Sequence, residues 1–373
     1  MKKIKNVVKN SKLLGMIFSA GMQILLRVLR VFVSIRSKQV MLASYSGRQI
    51  SDTPWAAFQI LKNDPSFANY DFVWAVQHPE NFTEMSDVKI VKMNSFSYFW
   101  NLLASKYWIA NSSIERLLNV KRPEQIYIQF WHGMPMKTLG HAEKDLSWLV
   151  QHWYDNVPID YLFAYCDYDA ERLHELFPKT KHLVVQGQLR KWLSQSAAKS
   201  PDQQLLGALN SNKPVLLYAP TYRGSDDDTG FLSATELTKL MENYQVIYRG
   251  HYFSEHQQLP GLIDGNNYDV YQIFAQADLL ITDYSSILFD FAYWQKPIYL
   301  YVPDLETYRS ERGLALDPAT LHLPMARTFD ELQQQLAQAS CSMEAVANLE
   351  TTYDPHTTEQ TIAALRQIFN ENL

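Results

Sequence analysis

The stretch Leu279-Leu-Ile-Thr-Asp-Tyr-Ser-Ser-Ile-Leu-Phe-Asp-Phe291 joins two apolar patterns of different period. Leu279 to Thr282 reads as a fully buried strand, whereas Ile287, Leu288, Phe291 and Ala292 recur at helical spacing. Between them stand side chains that cap helices and donate hydrogen bonds. Asp283, Ser285 or Ser286 can satisfy open backbone N–H groups as an ordinary N-cap. Alternatively, the helix start after a parallel strand receives an anion on its unpaired N–H groups and positive dipole end. The stretch alone leaves both readings standing.

The same alternation runs along the chain. Short apolar runs rich in Val, Ile, Tyr and Phe predict strands at 40–44, 72–76, 89–93, 107–110, 126–130, 161–165 and 182–186. Further strands are expected at 215–218, 245–248, 279–282 and 298–302, with helix-like stretches between. Strands alternating with helices imply βαβ units and parallel sheets. The small, polar segment from Ser194 to Asp202 reads as a linker between halves of similar size. The expected fold is α/β, with two Rossmann-like domains at 39–193 and 201–373 facing a cleft, preceded by a basic arm at 1–38.

Open α/β sheets bind ligands beyond the carboxyl ends of their strands, and polar motifs cluster there. Trp131-His-Gly-Met-Pro-Met-Lys137 follows one strand and Ala219-Pro-Thr-Tyr-Arg-Gly224 another. Arg249-Gly-His251 and Asp283-Tyr-Ser-Ser286 follow two more. Four strand ends thus carry two His, two Arg, one Lys and several hydroxyls. Packing alone does not gather such a set. The donors and cations point to a phosphorylated ligand and move Ser285-Ser286 from cap towards phosphate site.

Composition narrows the function. With 373 residues, 47% of them hydrophobic, the chain can bury two cores. The two cysteines, Cys166 and Cys341, fit no metal or redox spacing, so a reducing cytoplasm is expected. No His, Cys or acidic cluster has metal-ligand spacing, and no dinucleotide fingerprint, Walker loop or nucleophile elbow is present, so neither metal nor cofactor is expected.

The net charge of −5 hides an asymmetry. Residues 1–51 hold ten Lys or Arg and no acid, leaving 24 basic against 39 acidic residues, a net −15, in the rest. Within the arm, Leu13 to Leu26 is an uncharged run of 14 residues. That is short of the roughly 20 needed to span a bilayer, and no small-residue cleavage site follows it. A basic amphipathic helix lying on an anionic membrane surface is the expectation for residues 1–38. The alternative is a helix packed on its own domain with solvated charges. Nucleic acid is not expected as a partner, because the acidic body repels it.

With these motifs in order, the chain resembles the CDP-glycerol glycerophosphotransferases, the teichoic acid primases and polymerases. The resemblance rests on Trp131-His132-Gly133 with Lys137 and Gly140, and on Tyr218-Ala-Pro-Thr-Tyr-Arg223. It continues through Arg249-Gly-His251, Thr282-Asp-Tyr-Ser-Ser286 with Phe289-Asp290, Lys296-Pro297, and Tyr308-Arg-Ser-Glu-Arg312-Gly313. Met134, Tyr252 and the Gly187-Gln-Leu-Arg190-Lys-Trp192 element depart from the family pattern.

The resemblance implies a GT-B-like fold, with 39–193 on the acceptor side and 201–373 binding CDP-glycerol. It implies transfer of glycerol phosphate from CDP-glycerol to an undecaprenyl-diphosphate-linked disaccharide, N-acetylmannosaminyl-N-acetylglucosamine, with release of CMP. The enzyme would act peripherally at the cytoplasmic face of the cell membrane. A single catalytic unit with a membrane arm looks like a primase. A glycerol or ribitol phosphate polymerase and a GT-B sugar-nucleotide glycosyltransferase are the alternatives, and oligomeric state is left open.

For the chemistry, Arg223 and Arg249 suit the diphosphate because guanidinium forks bind phosphate oxygens at two points. Thr221, Ser285 and Ser286 would hold phosphate oxygens, and Lys137 would add a charge from the other domain. Asp283 belongs to the same group, although a carboxylate beside a diphosphate is repelled and better suits capping or orienting a neighbour. His132 is expected as the base and His251 as the phosphate stabiliser. Asp52, in Ser51-Asp-Thr-Pro54, is a second candidate base and equally an ordinary helix start.

Overall fold

The computed structural model describes residues 11–85, 88–143, 146–209, 212–221, 232–250 and 259–372. Backbone contacts group them into two compact units. The first holds the described residues up to His132, then Leu139–Arg190 and the chain from His356 onward. The second holds Gly133–Thr138 and Lys191–Pro355.

The first unit contains α1 (Lys12–Leu29), β1 (Arg36–Ala43), α2 (Asp52–Lys62), β2 (Asp71–Val76), β3 (Lys89–Lys92), α3 (Phe96–Ala104), β4 (Ser105–Ala110) and β5 (Ile126–Gln129). It continues with α4 (Trp148–Asn156), β6 (Tyr161–Ala164), α5 (Asp167–Leu176) and β7 (His182–Val185). Its seven strands form one parallel sheet in the order β3-β2-β1-β4-β5-β6-β7. Strand order reverses between β1 and β4, so the carboxyl ends of that pair bound the crevice where such sheets take ligands.

After α6 (Arg190–Lys199) and α7 (Gln203–Ala208), the second unit builds β8 (Val215–Tyr218), α8 (Ala234–Asn243), β9 (Gln245–Tyr248), β10 (Ile263–Asp264) and α9 (Val270–Gln276). Then come β11 (Leu279–Thr282), α10 (Ile287–Ala292), β12 (Ile298–Tyr301), α11 (Leu305–Glu311), β13 (Met325–Ala326), α12 (Phe329–Ala337) and α13 (Met343–Tyr353). The parallel order is β10-β9-β8-β11-β12-β13, with its switch point between β8 and β11. The second switch point falls on two strands whose ends carry the sequence motifs, and Trp131-His-Gly follows β5, the neighbour of β4 at the first.

All eleven expected strands are present, because strands buried on both faces read as continuous apolar runs. β10 and β13 were not expected: each is a two-residue edge strand with no run to read. The expected linker from Ser194 is instead largely helical, since α6 extends to Lys199. Leu193, Ser194 and Ala197 are buried, and the first helix-breaking residue is Pro201. Asp202 then caps α7 by accepting from Gln204 N at 2.8 Å and Leu205 N at 3.1 Å.

The last helix, α14 (Thr358–Glu371), returns to the first unit rather than staying with 201–373. Phe369 packs on Tyr107 at 4.2 Å between ring centroids, and Arg366 pairs with Asp64 at 2.7 Å.

In the arm, α1 runs on across Arg27, and with the turn that follows it makes a 21-residue element, Lys12–Phe32. By length and composition alone that element could cross a membrane, which the 14-residue uncharged run did not suggest. Gly15, Ser19 and Leu26 are buried, and Met22 and Leu29 pack with Leu26 onto the first core. These five residues form one stripe at spacings of four and three, the seam of a helix lying along a surface. Leu13, Ile17, Phe18, Ile24, Leu25, Val28, Val31 and Phe32 are left exposed.

Candidate active site

At the first switch point, the loops after β1, β4 and β5 are tied into one network. Tyr45 N donates to Asn111 Oδ1 at 2.7 Å, and Ser46 N donates to Ser112 Oγ at 2.6 Å. Asp52, the first residue of α2, accepts from Tyr45 OH at 2.7 Å and Asn111 Nδ2 at 2.8 Å. Arg190 forks onto the same carboxylate, Nε to Oδ1 and Nη2 to Oδ2, both at 2.9 Å. Its Nη1 donates to the Tyr165 hydroxyl at 2.6 Å.

Asp52 and Arg190 are both buried. Burial by itself pushes the Asp52 carboxyl up. The charge of Arg190 and the hydrogen bonds from Arg190, Tyr45 and Asn111 outweigh it and hold the group below the ordinary carboxylate range. Around this network the backbone is strained: Tyr45, Ser46, Asp52 and Trp131 have φ of 48°, 54°, 58° and 56°. Each non-glycine residue there costs about 1–2 kcal/mol. Strain of this kind gathers where the surroundings over-determine the chain, as at functional sites.

The turn at Trp131 explains the Trp-His-Gly motif. Trp131 is buried among Trp153, Tyr154 and Phe177, and its left-handed backbone directs the next side chain away from that core. His132 is exposed, lies on the Trp131 ring at 3.9 Å between centroids, and has Nδ1 at 2.9 Å from the Asn111 carbonyl oxygen. A carbonyl only accepts, so Nδ1 carries the proton and Nε2 of the neutral ring is the basic nitrogen. That arrangement suits proton removal from a hydroxyl.

At the second switch point, Thr221 N donates to both oxygens of Asp283, at 3.0 and 2.9 Å, and Thr282 Oγ1 donates to Ala219 O at 2.7 Å. The buried Asp283 therefore orients the loop after β8. Ser286 precedes α10 with φ −62° and ψ −11°, helical values rather than the extended ones of a capping residue, and its side chain makes no cap hydrogen bond. Ser285 Oγ lies 3.5 Å from Ile287 N. Ser286 therefore does not cap the helix, whereas Ser285 accepts a long hydrogen bond from Ile287 N, so the cap and the anion readings of this stretch both stand.

Tyr284 is buried, stacks on Tyr308 at 4.0 Å and donates to Asp304 at 2.9 Å. Arg249 is anchored through Nη1 to the carbonyls of Gly265 and Tyr268, the latter at 2.9 Å, which fixes its charge at the end of β9.

Lys137 groups with this second unit, although sequence order suggested the other domain. Met136 O accepts from Ala315 N at 2.9 Å, Thr138 N donates to Gly313 O at 3.3 Å, and Lys137 bridges to Leu314. The Lys137 segment and the Tyr308–Gly313 element are thereby one structure. Lys296, part of the Lys-Pro motif, caps α9: its Nζ donates to Phe274, Ala275 and Ala277 carbonyls at 3.1, 3.0 and 2.6 Å.

Of the residues expected at the site, His132 and Asp52 come together in the first unit. Thr221, Asp283, Ser285, Ser286, Arg249 and Lys137 belong to the second. Arg223 and His251 lie outside the described residues. Sequence reasoning gave no role to Tyr45, Asn111 or Arg190. The retained arginine of Gly187-Gln-Leu-Arg190 was the one available signal. It also passed over two buried acids, Glu115 and Asp169, each pushed up to about 7 by burial. Among the described residues no group of three or more His, Cys, Asp or Glu is placed to hold a metal ion.

A model of the CDP-Glycerol:Poly(glycerophosphate) glycerophosphotransferase family matches residues 25–357. The chain belongs to this family. A teichoic acid poly(glycerol phosphate) polymerase of Bacillus spizizenii is 29% identical over 310 residues, covering 75% of this chain and 78% of that protein. A second, from Bacillus subtilis, is 28% identical over 346 residues, 82% of this chain but only 44% of the polymerase. The solved structure of the wall teichoic acid polymerase TagF has a TM-score of 0.74 at 24% identity, covering 91% of this chain and 90% of that one. The glycerophosphotransferase is thus a transferase of teichoic acid biosynthesis with a GT-B-like fold.

Proposed function

We propose that this glycerophosphotransferase moves glycerol phosphate from CDP-glycerol onto a hydroxyl of an undecaprenyl-diphosphate-linked disaccharide at the cytoplasmic membrane face. The observation that carries the reading is His132, held through Nδ1 by the Asn111 carbonyl at the first switch point. Its Nε2 takes the proton from the acceptor hydroxyl. The hydroxyl oxygen bonds to the phosphorus that bears glycerol, the bridging P–O bond breaks, and CMP leaves with those electrons.

The second unit holds the donor. Ser285 and Ser286 receive phosphate oxygens, and Lys137 and the anchored Arg249 neutralise charge. Thr221 lies on the loop wall that Asp283 fixes by accepting from its N–H. Arg223 and His251 complete the site by family resemblance, the arginine on the diphosphate and the histidine on the developing charge.

The arm supports action at a membrane surface. α1 is pinned along one stripe while its remaining apolar side chains face outward, as expected of a helix lying in the interface rather than crossing it. Lys12, Arg27, Arg30, Arg36 and Lys38 supply charge for an anionic leaflet. Length does not distinguish a primase from a polymerase, since 310 matched residues make up 78% of one polymerase.

The test is incubation with CDP-glycerol and a lipid-tailed disaccharide diphosphate, following CMP and product mass for wild type, His132→Ala and His251→Ala. CMP release lost in both variants supports the reading. One added unit identifies a primase and a ladder a polymerase. Turnover only with CDP-ribitol or a sugar nucleotide overturns the donor.

A further inference from the structure

Asp52 stands close to His132 in the network, yet its geometry does not suit a base. Its two oxygens receive Arg190 Nε, Arg190 Nη2, Tyr45 OH and Asn111 Nδ2, four donors for about four lone-pair sites. What this carboxylate does is hold the Asn111 side chain. The amide can lie only one way, because Tyr45 N must donate and the carboxylate must accept. Asn111 is buried at the end of β4, and its main-chain carbonyl is the atom that meets His132 Nδ1. A continuous chain of contacts therefore runs Arg190, Asp52, Asn111, His132.

We infer that Asp52 and Arg190 are positioning residues that clamp Asn111, so that its carbonyl holds His132 in the Nδ1–H form, which makes Nε2 the basic nitrogen of the ring. This deepens the glycerophosphotransferase reading and rests on it for the acceptor. The arrangement shares the logic of an oriented catalytic histidine, but the carboxylate acts one residue away. It fixes the ring's tautomer and direction without touching the imidazole. The strained φ of Asp52 fits this role, since an Asp at +58° is kept where its side chain must reach inward to Asn111 and Arg190.

The experiment uses the full chain labelled with 15N-histidine, the His132 signals being assigned by their loss in His132→Gln. Asp52→Asn and Asn111→Ala are compared with wild type in the imidazole 15N shifts, kcat and the KM for CDP-glycerol. Wild type should show Nδ1 protonated. Both variants should move towards exchanging tautomers and lose about 10- to 100-fold in kcat, with donor KM within about twofold.

Unchanged 15N shifts, with Asp52→Asn as inactive as His132→Ala, would make Asp52 the base and overturn the inference. Unchanged shifts and kcat with only a lower melting temperature would make the pair purely structural and overturn it equally. Should Asp52→Asn fail to fold, Asn111→Ala decides alone, because it leaves both charges paired. Absence of turnover with CDP-glycerol in wild type would overturn the donor reading, while the 15N signature continues to decide the positioning.

Discussion

Gly313→Ala tests how Lys137 is held. Gly313 has φ +76°, and a Cβ there would stand 2.3 Å from Thr138 Oγ1 and 3.0 Å from Thr138 Cβ. Thr138 is β-branched and stiff at χ1, and its Cβ cannot move without the main chain. The left-handed backbone adds about 1–2 kcal/mol once a Cβ is present. Displacing the strand-like pair would release the hydrogen bonds from Thr138 N to Gly313 O and from Ala315 N and Leu316 N to Met136 O. Each contributes about 1 kcal/mol.

The expected loss is therefore on the order of 2–5 kcal/mol in the second unit, read as a fall in melting temperature. Lys137 moves with its segment, so the KM for CDP-glycerol should rise at least about tenfold, the equivalent of 1.4 kcal/mol. The double variant Gly313→Ala/Thr138→Ala removes the 2.3 Å contact but neither the φ strain nor the 3.0 Å one. It should recover part of the loss. A single variant with wild-type melting temperature and KM would refute the steric reasoning, and so would a double variant no better than the single.

Lys296→Met leaves the last-turn carbonyls of α9 without their ammonium donor and should destabilise the protein by about 1–3 kcal/mol in denaturant titration. Donor KM should be unchanged, and a large rise would assign Lys296 to the ligand instead. Burial raises Glu115 from 4.5 to about 7, with the Trp153 indole donating to it. The folded state thus holds the proton longer than the unfolded one, so stability falls as pH climbs from about 4.5 towards 7 and levels off above. Glu115→Gln should remove up to on the order of 3 kcal/mol of that slope, seen in urea midpoints between about pH 5 and 8. A wild-type-to-variant difference that is flat with pH would refute it. Ile17 and Ile24, 60% and 63% exposed, should each contribute about 1.5–3 kcal/mol if buried in lipid. Ile17→Glu/Ile24→Glu should lower sedimentation with phosphatidylglycerol vesicles at least tenfold, and equal sedimentation would remove the arm from membrane binding.

What could be read from the sequence follows from how each feature is encoded. A central parallel strand announces itself because every residue is apolar, so 215–218 and 279–282 were legible to the residue. The edge pair Ile263–Asp264 carries no such pattern. Polar composition suggested a linker at Ser194, yet Ser and Gln do not break a helix, and one buried face of Leu193, Ser194 and Ala197 sufficed to keep one. The amphipathic pattern of α14 tells that it packs but not on which sheet.

The site divides in the same way. Strand-end placement alone singled out His132, Asp283 and the serines as candidates, because ligands of open α/β sheets lie beyond the carboxyl ends of the strands. Asp52 could be read only as a helix start or a base, since its partners Asn111 and Arg190 stand 59 and 138 residues away. The Ser285-Ser286 ambiguity turned on backbone angles that composition does not specify. An N-cap serine needs extended φ/ψ for its hydroxyl to reach back to the helix, and Ser286 is already helical. Those angles, not the identity of the side chain, remove the capping role from Ser286, while Ser285 keeps its hydrogen bond from Ile287 N.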